Sequence, residues 1–406
     1  MSKTLDENWT VKKSPNDSKK DVVCCSVNSK LLRKAFAAHY PVSDTPMEVM
    51  VRLGKRGQFR ATIPLPECLV EFRSANFTDD AADHVCYVRP REFRAITKKI
   101  DTEICFIECF SKRNECSVFA WHSKFSIETV EEFSKGGAEK AEMFRRDFSS
   151  YGTPAEVSTV RLIDSLKRAV SIPSIDSHLN LDLITLGFSG STLTVSATDG
   201  RQMTVEDVPL AEPLALAHEP IVQEHGCREL KLKRGAINVL LKVLDRKEPF
   251  VSIENRGEEV WFSQSSFCLG AKDIYALPSR HKKIVYRFTD NLPNYSTSTV
   301  DYNAFIRCAK KVVVGAYPVS LEIQGTKVAF EQAGLIKSYS WMTATESENR
   351  IDGKIEFNGH QVLKTLSLLK EQDQIAIYAL DDKNMLVFEA GNFRLFSMPY
   401  KRSADD

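Results

Sequence analysis

LDLITLGFSGSTLTVSATDGRQMTVEDVPL, at positions Leu181–Leu210, contains three runs of apolar and β-branched residues. Gly190-Ser191 separates the first run from the second, and Asp199-Gly200 separates the second from the third. Dipeptides of this kind form the tight turns between neighbouring antiparallel strands. This stretch therefore predicts three consecutive strands joined by two turns.

The residues after this stretch predict a helix and a strand pair, and the same elements recur elsewhere in the chain. An amphipathic pattern covers Arg234–Arg246, and Phe250–Phe262 has the alternation of a hairpin. The second and third strand pairs read ICFIECF with CSVFAWH, and QIAIYAL with MLVFEA and FRLFSM. Further helical patterns begin near Ser29, Pro90, Val157, Val300 and Gly359.

The order helix, strands, helix, strands thus occurs three times, which is the mark of an internal repeat. It predicts an α+β fold of three similar domains, each with two helices packed on antiparallel sheets. Turn-rich segments at 145–156 and 289–299 indicate linkers between the domains. We expect a polar, disordered tail at 1–22, followed by domains at 23–145, 153–288 and 296–402.

Composition narrows the class of protein without naming a function. A hydrophobic fraction of 43% can fill real cores, and Lys+Arg 55 against Asp+Glu 54 leaves a net charge of +1. Such a balance still permits nucleic-acid binding if the cations gather on one face. The ten cysteines form no Cys-x-x-Cys pair, so we interpret them as reduced thiols of a cytoplasmic protein. Because the N-terminus is polar and no long apolar run occurs, we expect the chain to have no signal peptide and no membrane span.

Most of the predicted helices have a basic polar face, and the helix near Gly359 is less basic. In the helix near Val157, the spacing places Val160, Ile163, Leu166 and Val170 on an apolar side, opposite Arg161 and Arg168. A basic face is usually only a solvated surface, but its recurrence in several helices favours a functional role. Under the family resemblance that follows, the candidate DNA-binding residues are Arg33, Lys34, Arg91, Arg94, Arg161, Lys167, Arg168, Lys242, Arg307 and Lys310.

Three segments resemble one known family. Ala197-Thr198-Asp199-Gly200, before a strand that ends in Val208-Pro209-Leu210, resembles the middle domain of the bacterial DNA polymerase III beta subunit, the sliding clamp. Ser397–Arg402 (SMPYKR) resembles the closing segment of that family. Ser123–Ile127 resembles the last strand of its first domain, so the resemblance covers roughly residues 29–402.

The resemblance implies a ring-forming clamp fold and a non-enzymatic processivity factor. Such a homodimer encircles double-stranded DNA without reading its sequence. It tethers the replicative DNA polymerase, clamp-loader subunits and other partners through short peptide motifs. The resemblance also implies a peptide pocket, which in this chain comprises Leu181, Thr198, Gly200, Arg201, Gln202, Met203, Pro278, Lys282, Met398, Pro399, Tyr400 and Lys401. Without the resemblance, Leu181 and Met203 read as core residues and Met398-Pro399 as a strand end.

The family resemblance further implies a dimer interface at Phe125 and Ile127. The sequence departs from the family's pattern at two places, one in the predicted pocket and one at the predicted interface. Arg201-Gln202 replaces the His-Arg or Arg-Arg that often follows the Asp-Gly turn. Lys310-Lys311 stands where the family usually offers apolar residues to the interface, and Glu128, Glu131 and Glu132 are the expected neighbours.

Enzymatic readings find no sequence support. The chain contains no P-loop, no dinucleotide fingerprint, no His-Glu-x-x-His and no Gly-x-Ser-x-Gly. Asp199, Asp381 and Asp382 stand at predicted turns, where aspartate is common, so we expect neither a metal nor a cofactor. The competing hypothesis is a clamp-derived interaction protein that binds partner peptides without encircling DNA.

Overall fold

The computed structural model describes residues 22–30, 32–33, 48–54, 58–74, 82–110, 115–120, 123–129, 152–172, 181–212, 215–216, 228–256, 258–274, 281–292, 295–314, 317–332, 337–348, 354–369, 372–379 and 385–398. The chain divides into two compact units, 1–146 with 265–267 and 147–264 with 268–406, called the first and second unit below. Among the described residues, no helix is both long and apolar enough to cross a membrane.

The described residues of the first unit form two antiparallel sheets, the helix α1 and a short helical stretch near residue 30. Its elements are β1 (Val22–Asn28), β2 (Val49–Gly54), β3 (Gln58–Pro64), β4 (Cys68–Arg73), β5 (Ala82–Val88), α1 (Pro90–Thr97), β6 (Ile104–Phe110), β7 (Glu115–Ala120) and β8 (Ser123–Glu128). One sheet has the order β1-β6-β7-β8, and the other has the order β5-β2-β3-β4. Residues 29–30 and 32–33 are helical, where the sequence predicts the first helix.

Helix α1 forms where the sequence predicts it. Pro90 occupies the first turn, where a missing N–H costs nothing, and Phe93 and Ile96 are buried. Arg91 lies on the opposite, exposed side. The helix therefore presents an apolar face to the unit and a basic face to solvent.

The second unit begins with a mixed α+β segment that contains the opening stretch of the sequence analysis. Its elements are β9 (Gly152–Thr153), β10 (Ala155–Ser158), α2 (Thr159–Ser171), β11 (Leu183–Ser189), β12 (Thr192–Thr198), β13 (Gln202–Glu212), β14 (Ala215–Leu216), β15 (Arg228–Lys233), α3 (Arg234–Val243), β16 (Phe250–Arg256), β17 (Glu259–Gln264), β18 (Phe267–Lys272) and α4 (His281–Asn291). The three predicted strands are confirmed as β11, β12 and β13, with positive φ at Gly190 (53°) and Gly200 (85°) in the turns.

The rest of the second unit repeats this arrangement. Its elements are β19 (Ser296–Asp301), α5 (Tyr302–Val312), β20 (Val319–Gln324), β21 (Lys327–Gln332), β22 (Ser338–Thr343), β23 (Glu346–Glu348), β24 (Lys354–Phe357), α6 (Gly359–Leu366), β25 (Gln374–Ala379), β26 (Leu386–Ala390) and β27 (Phe393–Ser397). Phe305 of α5 anchors the core, with its ring centre 5.3 Å from that of Phe330 and 5.7 Å from that of Phe388.

One continuous sheet joins the two halves of the second unit. β15, β11, β12 and β13 pair in that order, and the first residues of β13 then pair with β27. The sheet continues through β26, β25, β19 and β23. A separate sheet has the order β22-β21-β20-β24. The halves are thus held together by backbone hydrogen bonds as well as by side chains.

The buried face of α2 is rotated by part of a turn from the predicted apolar face. Val160 is 47% exposed, whereas Leu162, Ile163 and Leu166 are buried. Arg168, predicted on the solvent side, is also buried. The next subsection describes the contact that holds it there.

The segment between the two halves is more regular than the sequence predicts. The turn-rich stretch 289–299 reads as a linker, yet α4 continues to Asn291 and β19 begins at Ser296. Apolar packing of α4 on the sheet accounts for the extra helix, since its Phe288 is only 3% exposed.

Candidate functional site

The Thr198–Met203 turn is fixed by side chains that bond to its own backbone. The Asp199 carboxylate accepts hydrogen bonds from the amides of Arg201 (2.8 Å) and Gln202 (2.6 Å). The Thr198 hydroxyl donates to the Gln202 carbonyl at 2.8 Å and accepts from the Gly200 amide at 3.1 Å. This use of Asp and Thr is typical of a turn, so the Asp199 carboxylate serves to hold the turn. The described residues bring together no group of three or more His, Cys, Asp or Glu side chains that could hold a metal ion.

Four predicted pocket positions, Leu181, Gly200, Arg201 and Met398, lie side by side at this turn. Gly200 has φ +85°, and a Cβ there would lie 3.6 Å from Cδ1 of Leu181. The amide of Met398, just after β27, donates to the carbonyl of Arg201 at 2.8 Å. Leu181 is half-buried, and Met398 is 47% exposed. The turn, Leu181 and the end of β27 therefore form one partly apolar surface, which we call the rim.

Met203 does not form an open floor beside this rim. It is 3% exposed and lies opposite Phe396 in the β13–β27 ladder. Both belong to an apolar cluster with Met385, Val387 and Phe288, the last of which comes from α4. The alternative reading of Met203 as a core residue is thus the one that the structure shows.

Gln202 is not on the rim either. Its side chain is 3% exposed, and alternation along β13 points it to the face opposite Met203. Neither its amide nitrogen nor its amide oxygen has a hydrogen-bond partner among the described residues. Nearby, burial lowers the pKa of Arg234 from its usual value, while the Asp182 and Asp199 carboxylates oppose that shift.

The other predicted pocket residues remain predictions. Lys282 belongs to α4, but its side chain is outside the described set. Four more positions lie outside the described residues: Pro278, Pro399, Tyr400 and Lys401.

Most of the predicted DNA-binding cations are exposed on helices. Arg94 is half-buried on α1, and Lys34 lies outside the described residues. The exposed cations are Arg33, Arg91, Arg161, Lys167, Lys242, Arg307 and Lys310. They lie on α1, α2, α3, α5 and the helical residues near position 30.

The prediction of an exposed Arg168 is wrong. Its Nε donates to Oε2 of Glu206 at 2.8 Å, and its guanidinium lies 5.8 Å from the ring centre of Phe393. The side chain is 10% exposed. Because α2 packs directly on β13, the guanidinium of Arg168 is paired with the Glu206 carboxylate of that strand.

The predicted interface strand is an edge strand with a mostly covered inner face. Among the described residues, β8 pairs with β7 alone. Phe125 is half-buried, but Ile127 is 4% exposed and belongs to the core of the first unit. The side chain of Ile127 is packed within its own unit, and the dimer interface at Phe125 and Ile127 stays a prediction. Lys310 and Lys311 are exposed on α5.

No known protein family matches the chain by sequence, and no curated protein does. Solved structures do match along nearly its whole length. The DNA polymerase III beta subunit of Thermotoga maritima superposes with a TM-score of 0.74 at 15% identity, covering 94% of this chain and 100% of that one. The chain has the sliding-clamp fold. The Bacillus subtilis sliding clamp gives a TM-score of 0.73 at 13% identity, covering 94% and 100% of the two chains.

A further sliding-clamp structure carries a ligand. The Helicobacter pylori beta clamp, solved with a DNA ligase peptide, matches with a TM-score of 0.73 at 15% identity. The match covers 93% of this chain and 100% of the Helicobacter pylori chain. At such identities the likeness establishes a shared sliding-clamp fold in a divergent sequence.

The predicted pocket includes Lys282 of α4 but not the apolar cluster beneath that helix. Phe288 and Phe396 are both buried there, and neither belongs to a recognisable motif. The spacing of Ile284, Val285 and Phe288 was the available signal, because it places three apolar side chains on one helical face.

Proposed function

We propose that the chain is a non-enzymatic DNA sliding clamp. Two copies would form a ring around duplex DNA and tether a DNA polymerase, the clamp loader and other partners through short peptides. The observation that carries the proposal is the sliding-clamp fold along 94% of the chain, together with exposed cations on four helices. A cytoplasmic location accompanies this function.

The exposed cations suit a contact that ignores sequence. Arg91, Arg161 and Arg307 lie on the solvent faces of three different helices. Phosphate contacts supply attraction without reading base edges, and salt screens them. Cations spread over several helices thus support loose binding that permits sliding, rather than a fixed complex.

The two edge strands support closure of the ring between copies. Among the described residues, β8 and β22 each pair with a single neighbouring strand. An unpaired edge offers backbone groups to another chain. Heterologous contacts of this kind close into a ring when the rotation between copies permits it.

In the proposed ring, β22 of one copy would meet β8 of a second copy. Aromatic side chains on the outer side of β22 would supply the apolar contact there. Tyr339 and Trp341 are 53% and 56% exposed, and Nζ of Lys327 lies 5.5 Å and 5.9 Å from their ring centres. The exposed face of α5 ends in Lys310 and Lys311, which suit the exposed Glu128 of a second copy. The aromatic contact of Tyr339 and Trp341, together with the pairing of Lys310 and Lys311 with Glu128, would then replace the apolar helix contact of the family.

The rim supports the proposal of peptide binding. Leu181 and Met398 offer partly exposed apolar groups beside the Gly200 turn, and methionine adapts to varied ligands. The Helicobacter pylori clamp of the same fold was solved with a DNA ligase peptide. We extend that ligand class, a peptide, to this chain, where the partly apolar rim would suit apolar side chains of the peptide.

Loading on closed DNA tests the proposal. The protein is loaded on a nicked plasmid with a clamp loader, and excess protein is removed by gel filtration. We expect bound protein to remain on the circle and to leave once a restriction enzyme linearises it. Retention on the linear product, or tight binding to linear duplex without loading, would contradict encirclement.

A clamp-derived interaction protein is the second candidate. It is favoured by the two exposed lysines that end α5 where an apolar contact is expected, and by the burial of Ile127. Light scattering at micromolar concentration and low salt separates the two functions. A dimer supports the ring, and a monomer that still binds peptide supports the alternative.

A further inference from the structure

The apolar surface where β13, β26 and β27 meet is covered by α4. Met203, Val387 and Phe396 come from the three strands, and none is more than 3% exposed. Phe288 of α4 is itself 3% exposed in this cluster. The helix therefore occupies the surface beside the rim that the sequence assigns to a ligand.

The Phe288 ring fills a space walled by aromatic side chains. Its centre lies 5.3 Å from that of Tyr295, 5.2 Å from that of Tyr378 and 5.7 Å from that of Phe396. All three pairs are edge-to-face, the arrangement that aromatic rings prefer. A leucine or aromatic side chain from another molecule has the size and polarity to take this place.

The described contacts of α4 with the sheet are apolar. Ile284 and Val285 pack beside Phe288. The described side-chain hydrogen bonds of α4 run within the helix, from Thr289 Oγ1 to the Val285 carbonyl and from Asn291 Nδ2 to the Arg287 carbonyl. Apolar burial is non-directional, so an apolar competitor can replace it without leaving a broken polar contact.

We propose that α4 is a lid, and that its Phe288 ring occupies the subsite for the leucine or aromatic anchor of a partner peptide. This inference rests on the proposed peptide-binding function. A peptide would first meet the exposed rim at Leu181 and Met398 and then displace Phe288 from Met203 and Phe396. The closed lid lowers the apparent affinity by the fraction of molecules that are open.

Calorimetric titration with the DNA ligase peptide of the Helicobacter pylori complex tests the lid. The full-length parent chain is compared with Phe288→Ala and with Phe250→Ala, a matched control because Phe250 is 44% exposed and lies on β16. We expect Phe288→Ala to bind at least about 10-fold more tightly, since it removes the competitor. Phe250→Ala should bind as the parent does.

Hydrogen exchange gives a second readout on the unmodified chain. Peptide binding should speed amide exchange in residues 281–291, because displacement exposes the helix. If Phe288→Ala fails to fold, Phe288→Leu removes the ring contacts but keeps an apolar side chain, and it should also bind more tightly than the parent.

The outcomes separate the lid from the site beneath it. Equal or weaker binding by Phe288→Ala, or slower exchange in α4 with peptide bound, would make the helix a fixed wall and overturn the lid. Absence of binding by the parent and by every folded Phe288 variant would instead overturn the peptide site, and the lid with it.

Discussion

Arg161 and Arg168 lie on the same helix, two turns apart, in opposite environments. Arg161 is exposed, whereas Arg168 bonds Glu206, whose side chain is 13% exposed. We expect Arg168→Met to lower the free energy of unfolding by about 3–5 kcal/mol, because it leaves the Glu206 carboxylate buried without its partner. Urea unfolding followed by circular dichroism measures the change.

Two further variants separate charge from packing at this pair. Arg168→Met combined with Glu206→Leu should recover most of the lost stability, since no unpaired charge then remains. Arg161→Met should change stability by less than about 0.5 kcal/mol, as expected for an exposed side chain. Equal stability of Arg168→Met and the parent would show that the pair contributes nothing.

This residue also shows why the helix face could not be read from sequence alone. Helical periodicity predicts which residues lie on the same face. It does not predict which polar side chains are buried, because their burial depends on hydrogen-bond partners elsewhere in the chain. Thr159 is buried because its hydroxyl accepts a bond from Gln264 Nε2 at 3.1 Å, and Arg168 because it meets Glu206. Both partners lie at least 38 positions away in the chain. Val160, apolar and well placed in the pattern, is exposed instead.

At the scale of elements, β22 carries the outward aromatic pair of the proposed ring junction. We expect Trp341→Ser to raise the dimer dissociation constant at least about 10-fold, the effect of about 1.4 kcal/mol of lost contact. Phe250→Ser is the control, because Phe250 is similarly exposed but lies on a strand paired on both sides. Sedimentation velocity over a concentration series measures both constants.

The result distinguishes the junction from the ring. If the parent is a dimer and Trp341→Ser dimerises equally well, the outer face of β22 is not part of the contact. If the parent is a monomer throughout, the proposed homodimer itself fails. Thermal unfolding of the variant should match the parent, since a side chain that is 56% exposed contributes little to the core.

Strands were the elements that sequence predicted best. Alternation and turn dipeptides give β6, β16, β17, β25 and β26 nearly to the residue, because both signals are local. Helix α4 was missed because Phe288 and its neighbours supply barely one turn of pattern before turn-rich residues. Its stability comes from packing on β26 and β27, which no local pattern reports.

At the scale of the whole molecule, the fold followed from a few short matches. The Ala197–Gly200 turn and the Ser397–Arg402 segment suggest the clamp family, and the superposition on clamps at 13–15% identity confirms the fold. Turns survive divergence because their residues satisfy backbone demands, as Asp199 and Gly200 do here. The proposed dimer interface does not follow from such matches, because Lys310-Lys311 stands where the family usually has apolar residues.

Salt dependence tests the proposed sequence-independent contact between the ring and DNA. Binding to linear duplex, measured by fluorescence anisotropy, should weaken steeply with salt, with log K falling by about 0.9 per phosphate contact for each unit of log salt. Combining Arg161→Gln with Arg307→Gln should reduce that slope by about 2 for each copy in contact, because each contact contributes about 1. Lys272→Gln with Lys354→Gln removes two exposed cations from strands and should leave the slope unchanged. Since both pairs change the net charge equally, an equal effect on the slope would mean that DNA responds to total charge. The helix faces would then not be the contact surface.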